Sequence, residues 1–399
     1  MRVHRVVGFV CILLLSGAFC FADEATPAKS QRTTWFKNAK WGVFTHYMAD
    51  TVGADASPEA WNQAVNSFDA QNLAEQLKTV GASYYIITLG QNSGYYCSPN
   101  ATYDKYVGIT PSKCSSRDLV SDLADALRAR GIALMVYLPS GAPDRDSEAM
   151  AALEWKKGGE PEGAEQGAKE GVNDPRLKNF QQKWEEIIRE WSTRWGTKVA
   201  GWWFDGCYFA DAMYRFPDAP NFDSFAAAAR AGNPNAIVAF NPGVKDPVET
   251  MTPAEDYTAG EINDPDKVKC PGRWVGGAQF HMLSYLGPSW AQVPPRFTND
   301  QVISITESIA RKGGVVSWDV PIEATGLISQ PFLEQLAALG AAMKRDLKRG
   351  AASGNINGSP SGIEGTGVHV NGRVSWSGRI ENRIEPKQRP YQPGGPRRR

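Results

Sequence analysis

Asp205 closes the apolar run 199–204 (VAGWWF) and is followed by Gly206. A carboxylate carried out of a hydrophobic run against aromatic residues can serve as a nucleophile or as a base. A second acid, Glu261, stands beside Gly260 in the run 255–261 (EDYTAGE); Glu255 is its nearest rival and Asp256 a weaker one. Two carboxyl groups about 5 Å apart, one a nucleophile and the other an acid/base, suffice for retaining glycoside hydrolysis. His46 ends the run WGVFTH at 41–46 and is one of three histidines beyond residue 22, so it is a candidate for holding a ligand hydroxyl. His281 is similarly placed on weaker grounds. Asp319 precedes Val320-Pro321, a pattern that equally suits a structural turn. No His-x-x-x-His spacing or His/carboxylate cluster occurs, so no metal site is expected.

These groups need a scaffold that brings distant segments together. Apolar runs at 41–45, 83–89, 132–138, 199–204, 236–240, 280–285 and 315–318 read as strands. Between them lie helical periods, such as Leu119, Leu123 and Leu127, or Trp184, Ile187, Ile188 and Trp191 within 179–195. Strands apolar on both faces and alternating with helices indicate a parallel sheet with helical crossovers. About eight such units favour an α/β fold closed into a (β/α)8 TIM barrel. No G-x-G-x-x-G follows the first strand, which weakens a dinucleotide-binding reading. In a barrel the chemistry sits at the C-terminal ends of the strands. That rule selects His46, Gln91 and Asn92, Ser140, Asp205, Asn241, the 255–261 stretch and Asp319.

The chain has 399 residues, 42% of them hydrophobic, and zero formal net charge, which does not suggest a nucleic-acid partner. Residues 1–22 read as a signal peptide: Arg2, His4 and Arg5, then an apolar run over 6–19, then Ala22 as a small residue for cleavage. Export to a periplasm or the cell exterior is expected, with no membrane span. Cys97 and Cys114 could form a disulfide in such a compartment, or could equally be buried free thiols. The barrel is expected over 23–348, with a polar surface loop at 156–174. A Gly/Pro/Arg-rich tail over 349–399 is expected to be largely disordered, with a small hairpin near 367–377.

At these same residues the chain resembles glycoside hydrolase family 29, the α-L-fucosidases, as a divergent member. The segment 35–46 (WFKNAKWGVFTH) looks like that family's opening strand. Arg117-Asp118-Leu119-Val120 resembles its R-D-L-V segment. Trp203-Phe204-Asp205-Gly206 is similar to W-F-D-G, whose Asp is the nucleophile. Thr258-Ala259-Gly260-Glu261 followed by Pro271-Gly272-Arg273-Trp274 looks like the loop carrying the acid/base, and 313–321 (GGVVSWDVP) resembles the last strand. The ordered set spans about residues 35–345.

The resemblance implies a retaining mechanism with Asp205 as nucleophile, Glu261 as acid/base and no cofactor. It implies substrate contacts at His46, Gln91, Asn92, Trp41, Tyr47, Trp203 and His281. Two departures stand out. Where the family has H-H-D-G-F, this chain has Gln91-Asn92-Ser93-Gly94-Tyr95, and Tyr47 replaces a Trp. Too few residues follow the barrel for the family's full C-terminal β-sandwich. The expected function is an α-L-fucosidase-like hydrolase acting on an oligosaccharide or glycoconjugate. A glycosidase for another sugar, or a weakly active carbohydrate-binding barrel, remains an alternative.

Overall fold

The strands form where apolar residues can be buried on both faces. Seven of them run parallel in one curled sheet: β1 (Trp41–Thr45), β2 (Tyr84–Thr88), β3 (Ala133–Pro139), β4 (Gly201–Asp205), β5 (Ile237–Phe240), β8 (His281–Tyr285) and β9 (Val315–Asp319). The order is β5-β4-β3-β2-β1-β9-β8. The remaining two, β6 (Trp274–Val275) and β7 (Ala278–Gln279), make a short antiparallel hairpin. This computed structural model describes residues 25–156 and 176–353. The signal peptide expected over 1–22, nearly all of the loop expected over 156–174 and the tail beyond 353 lie outside the described residues.

Side chains alternate between two cores, as strand geometry requires. Val43, Tyr85, Val136 and Trp202 face the surrounding helices. Phe44, Ile86, Met135, Tyr137, Trp203 and Leu283 fill the barrel interior. In β1 this parity leaves Gly42 pointing inward, where a Cβ would stand 2.6 Å from the Tyr84 ring.

The gap between β5 and β8 is closed by an irregular segment, residues 256–262. The Asp256 N–H donates to the Val238 carbonyl of β5 at 2.8 Å. On the other side, Leu283 N–H donates to the Gly260 carbonyl at 2.8 Å and Ile262 N–H to the Leu283 carbonyl at 2.9 Å. The wall of the (β/α)8 barrel is thus seven strands and one irregular member. Gly260 has φ +63°, and a Cβ there would stand 1.9 Å from the His281 carbonyl oxygen, so the close approach requires glycine. Asp256 anchors the segment from below. It is fully buried and accepts from Arg32 at 2.7 Å and from Arg230 at 2.6 Å.

The helices bury the faces their periodicity marks. Lys178–Trp195 buries Trp184, Ile187, Ile188 and Trp191. Asp118 caps Leu119–Arg128 through the Ser121 N–H and also accepts from the Trp195 indole. Arg117 donates to the carbonyls of Val65 and Phe68. The Arg-Asp pair therefore ties helices together rather than serving chemistry. The last described helix, Gln330–Ser353, runs past the boundary expected at 348. Cys97, Cys114, Cys207 and Cys270 are all buried free thiols, so Cys97 and Cys114 form no bridge. Among the described residues no helix is long and apolar enough to cross a membrane.

Candidate active site

Asp205 is the last residue of β4, and Gly206 (φ +74°) turns the chain away immediately after it. Its Oδ1 accepts the Gly206 N–H at 2.8 Å and the Asn241 amide at 2.8 Å. Its Oδ2 accepts from the Tyr137 hydroxyl. Gln91 donates its amide Nε2 to that same Tyr137 oxygen at 2.6 Å. An amide nitrogen only donates, so the tyrosine oxygen accepts there and its single proton is directed to Asp205. Burial pushes the Tyr137 hydroxyl well above its ordinary pKa, and the charge of Asp205 pushes it further, so it stays a donor. Trp203 stacks on Tyr137 with ring centroids 5.3 Å apart and holds the irregular wall by donating to the Ala259 carbonyl at 3.0 Å.

Asn241 follows β5. Its Oδ1 accepts the Gly243 N–H at 3.1 Å, which fixes the amide orientation. Its Nδ2 then donates to Asp205 Oδ1 at 2.8 Å and to Glu261 Oε2 at 2.6 Å. These two carboxylate oxygens can be no farther apart than those two bonds laid end to end. That bound, on the two oxygens that share the amide, is compatible with the roughly 5–5.5 Å separation of retaining pairs.

Glu261 is pushed up to about 7, first by burial and then by the charge of Asp205; the Asn241 amide and His46 pull the other way. The rival acids are engaged elsewhere. Glu255 accepts the backbone N–H groups of Met251 at 2.6 Å and Phe240 at 3.3 Å, and burial pushes it up to about 8. Asp256 is committed to Arg32 and Arg230.

His46 stands directly beyond β1 and its Nδ1 lies 2.8 Å from Asp319 Oδ1. Asp319 is fully buried and its Oδ2 accepts the Ala291 N–H at 2.7 Å. A carboxylate partner on Nδ1 leaves Nε2 as the nitrogen open to a ligand. The Asp319 contact to Ala291 also sets the neighbouring Trp290, whose ring meets His46 edge-on at 5.5 Å and Tyr285 at 4.8 Å. Asp319 thus holds the site together from behind and is more than a turn residue.

The structure brings Asp205, Glu261, His46 and Gln91 to one end of the barrel but does not place every expected contact there. Trp41 lies at the opposite end of β1, on the helix-facing side, near Gly340. Tyr47 is wholly buried against Trp61 and Phe68 and donates to the Ala324 carbonyl. Trp203 lies beneath the site, with its indole N–H already used. His281 begins β8 at the far end of the barrel, where Nδ1 meets the Thr258 carbonyl at 3.0 Å and Nε2 meets the Ser317 hydroxyl at 2.8 Å; burial lowers it to about 4 and keeps it neutral. These four are corrections: each packs or positions and is not exposed to a substrate. Asn92 sits beside Gln91, but among the described residues its side chain bonds neither carboxylate; its carbonyl accepts from Arg145 N–H at 2.8 Å.

Sequence reasoning did not assign roles to Tyr137, Asn241 or Trp290. Asn241 carried the available signal, a polar side chain at a strand end. Tyr137 sits inside an apolar run and shares the inward parity of Met135. No group of three or more His, Cys, Asp or Glu that could hold a metal occurs among the described residues.

The sequence profile described as Alpha-L-fucosidase matches residues 59–347. Among solved structures, the chain is similar to an endo-fucoidan hydrolase of glycoside hydrolase family 107, at 18% identity and TM-score 0.60, over 80% of this chain and 54% of that one. This chain therefore spans about half that enzyme's length. It is also similar to α-L-fucosidase isoenzyme 1 from Paenibacillus thiaminolyticus (21% identity, TM-score 0.54, 80% of this chain and 77% of that one). An α-fucosidase from Thermotoga maritima is similar as well (18% identity, TM-score 0.53, 79% and 74%). At these identities the likeness speaks for the fold. No curated protein matches the chain in sequence.

Proposed function

The chain belongs to the α-L-fucosidase family, and from that premise we propose that it is a retaining glycoside hydrolase that removes an α-L-fucosyl or related deoxy-sugar residue. The observation that carries this reading is the single Asn241 amide bonded to both Asp205 and Glu261. A shared donor draws the two carboxyl groups close together, which supports the short separation of a double displacement.

In the first step an Asp205 oxygen attacks the anomeric carbon and the bond to the leaving oxygen breaks. Glu261, raised to about 7, keeps its proton in a large share of molecules up to neutral pH and gives it to that oxygen. Asp205 is then an ester and has lost its charge. The Coulombic part of the upward push on Glu261 disappears with it, so its pKa falls. The carboxylate formed by proton donation is thereby suited to take a proton from water. That water attacks the anomeric carbon, the ester bond breaks, and Asp205 and Glu261 return to their starting states. His46, held by Asp319 and walled by Trp290, binds a hydroxyl of the glycosyl unit that is transferred to Asp205.

Hydrolysis of an aryl α-L-fucoside by wild type and by Asp205→Asn tests the proposal. Turnover that vanishes in the variant supports it; turnover that survives in the variant contradicts it. One observation favours a second reading of the specificity: Gln91 spends an amide N–H on Tyr137 at the place where the family carries its paired histidines. A different deoxy-sugar is thus the alternative, and a panel of aryl glycosides separates the two. We further infer that the protein is exported to a periplasm or the cell exterior, on the basic start and apolar run of residues 1–22. The N-terminal sequence of protein recovered outside the cytoplasm tests that; retention in the cytoplasm with Met1 intact overturns it.

A further inference from the structure

Among the described residues, three large hydrophobic side chains stand exposed, and all three follow strands whose ends carry the site. They are Tyr208 (58%), Val244 (47%) and Val293 (55%). All three lie in loops at the C-terminal ends of strands: Tyr208 after β4, Val244 after β5 and Val293 after β8. Exposed apolar side chains in the loops that follow the strands bearing the site stand where a ligand would pass.

The order of elements around the barrel says which part of a ligand would meet it. Glu261 belongs to the irregular wall segment, and its neighbours in the wall are β5 and β8. The loops following those two strands, carrying Val244 and Val293, therefore flank Glu261 on either side. Tyr208 joins the Val244 side, because its ring packs over Gly243, 3.1 Å from where a Cβ would stand. His46 and Trp290 mark the glycosyl side of the site. The acid protonates the leaving oxygen, so the leaving group must extend past Glu261 and out between these loops.

We propose that Tyr208, Val244 and Val293 form a binding site for the sugar on the leaving side of the scissile bond, with Tyr208 as the face on which that sugar stacks. The substrate is then a saccharide chain and not a simple glycoside. This rests on the reading of Glu261 as the acid/base. A pyranose presents an apolar face of C–H bonds, which suits an aromatic ring and small aliphatic side chains.

The test compares two leaving groups. α-L-Fucosyl fluoride carries a leaving group with no ring, so it leaves the proposed site empty; a fucosyl disaccharide fills it. Tyr208→Ala should lower kcat/KM for the best-cleaved disaccharide of a linkage panel by roughly 3–10-fold, the worth of one stacked aromatic. Fluoride turnover should stay within about twofold of wild type, a change too small to signal a lost contact. Equal losses on both substrates, or no loss on either, would overturn the proposal. If wild type cleaves neither, the hydrolase reading has failed on its own account. Disaccharide binding is then measured by calorimetry on Asp205→Asn with and without Tyr208→Ala: weaker binding in the double variant upholds the site, and equal binding overturns it.

Discussion

Tyr137 gives its only hydroxyl proton to Asp205, because the Gln91 amide occupies the other side of the same oxygen. Tyr137→Phe removes that donor and little volume. A hydrogen bond to a charged group contributes about 1.5–3 kcal/mol. A fall of roughly 10–100-fold in kcat/KM is therefore expected, with the melting temperature changing little. Steady-state kinetics with calorimetry checks this; unchanged kinetics would remove Tyr137 from the site's machinery.

The proton on Glu261 makes activity fall with rising pH. Its pKa of about 7 places the alkaline limb of kcat/KM near that value. Part of the rise comes from Asp205, so the Glu261 carboxyl should titrate at lower pH in Asp205→Asn. Carbon-detected NMR of the labelled side chain reads this directly, and an unchanged or higher value would show that the two groups are not electrically coupled.

Burial of carboxyl groups also sets how stability depends on pH. Glu185 and Glu261 are raised to about 7 and Glu255 to about 8, in each case first by burial. Each folded-state pKa lies above the unfolded value of about 4.3. Between those values the folded chain holds protons that the unfolded chain has released, so stability falls as pH rises. His281, lowered to about 4, acts in the opposite direction between about 4 and 6.5, because there the unfolded chain binds the extra proton. The uncompensated window is therefore about pH 6.5 to 8. Melting should be lower at the top of that window than at the bottom, and Glu185→Gln, which can still accept from Ser224, should shrink the difference. A melting temperature that rises across the window would contradict this.

Asp319 fixes two things at once, the His46 ring and the Ala291 backbone beside Trp290. Asp319→Asn keeps the shape but cannot accept at both oxygens. KM for the glycoside should rise, kcat/KM should drop by roughly 10–100-fold, and Trp290 fluorescence should shift. A kinetic change without a spectral one would assign Asp319 to His46 alone.

The parts of this site legible in the sequence are those set by chain position. A residue at the end of an apolar run reaches the barrel mouth whatever its neighbours do, which is why Asp205, His46 and Gln91 could be named. The choice between Glu255 and Glu261 could not be made that way. Both lie in one segment, and they differ in the donors that meet them: backbone N–H groups for Glu255, the Asn241 side chain for Glu261. Those contacts are tertiary. The place of Trp41 follows from strand parity. It shares the outward parity of Val43, while Gly42 and Phe44 face inward, so strict alternation along β1 sends it to the helix layer. The sixth wall segment has no regular pattern to read, since its course is set by Gly260 and by the buried Asp256 ion pairs.

The central claim is that Asp205 forms a covalent bond to the sugar while Glu261 supplies and recovers the proton. Incubation with 2-deoxy-2-fluoro-α-L-fucosyl fluoride slows the second step more than the first and should let the ester accumulate. Mass spectrometry of the digested protein should then find the fluorofucosyl mass on the peptide bearing Asp205, and not in Asp205→Asn. Label on a different residue, or turnover of the aryl fucoside with inversion at the anomeric carbon and no label at all, would contradict the account.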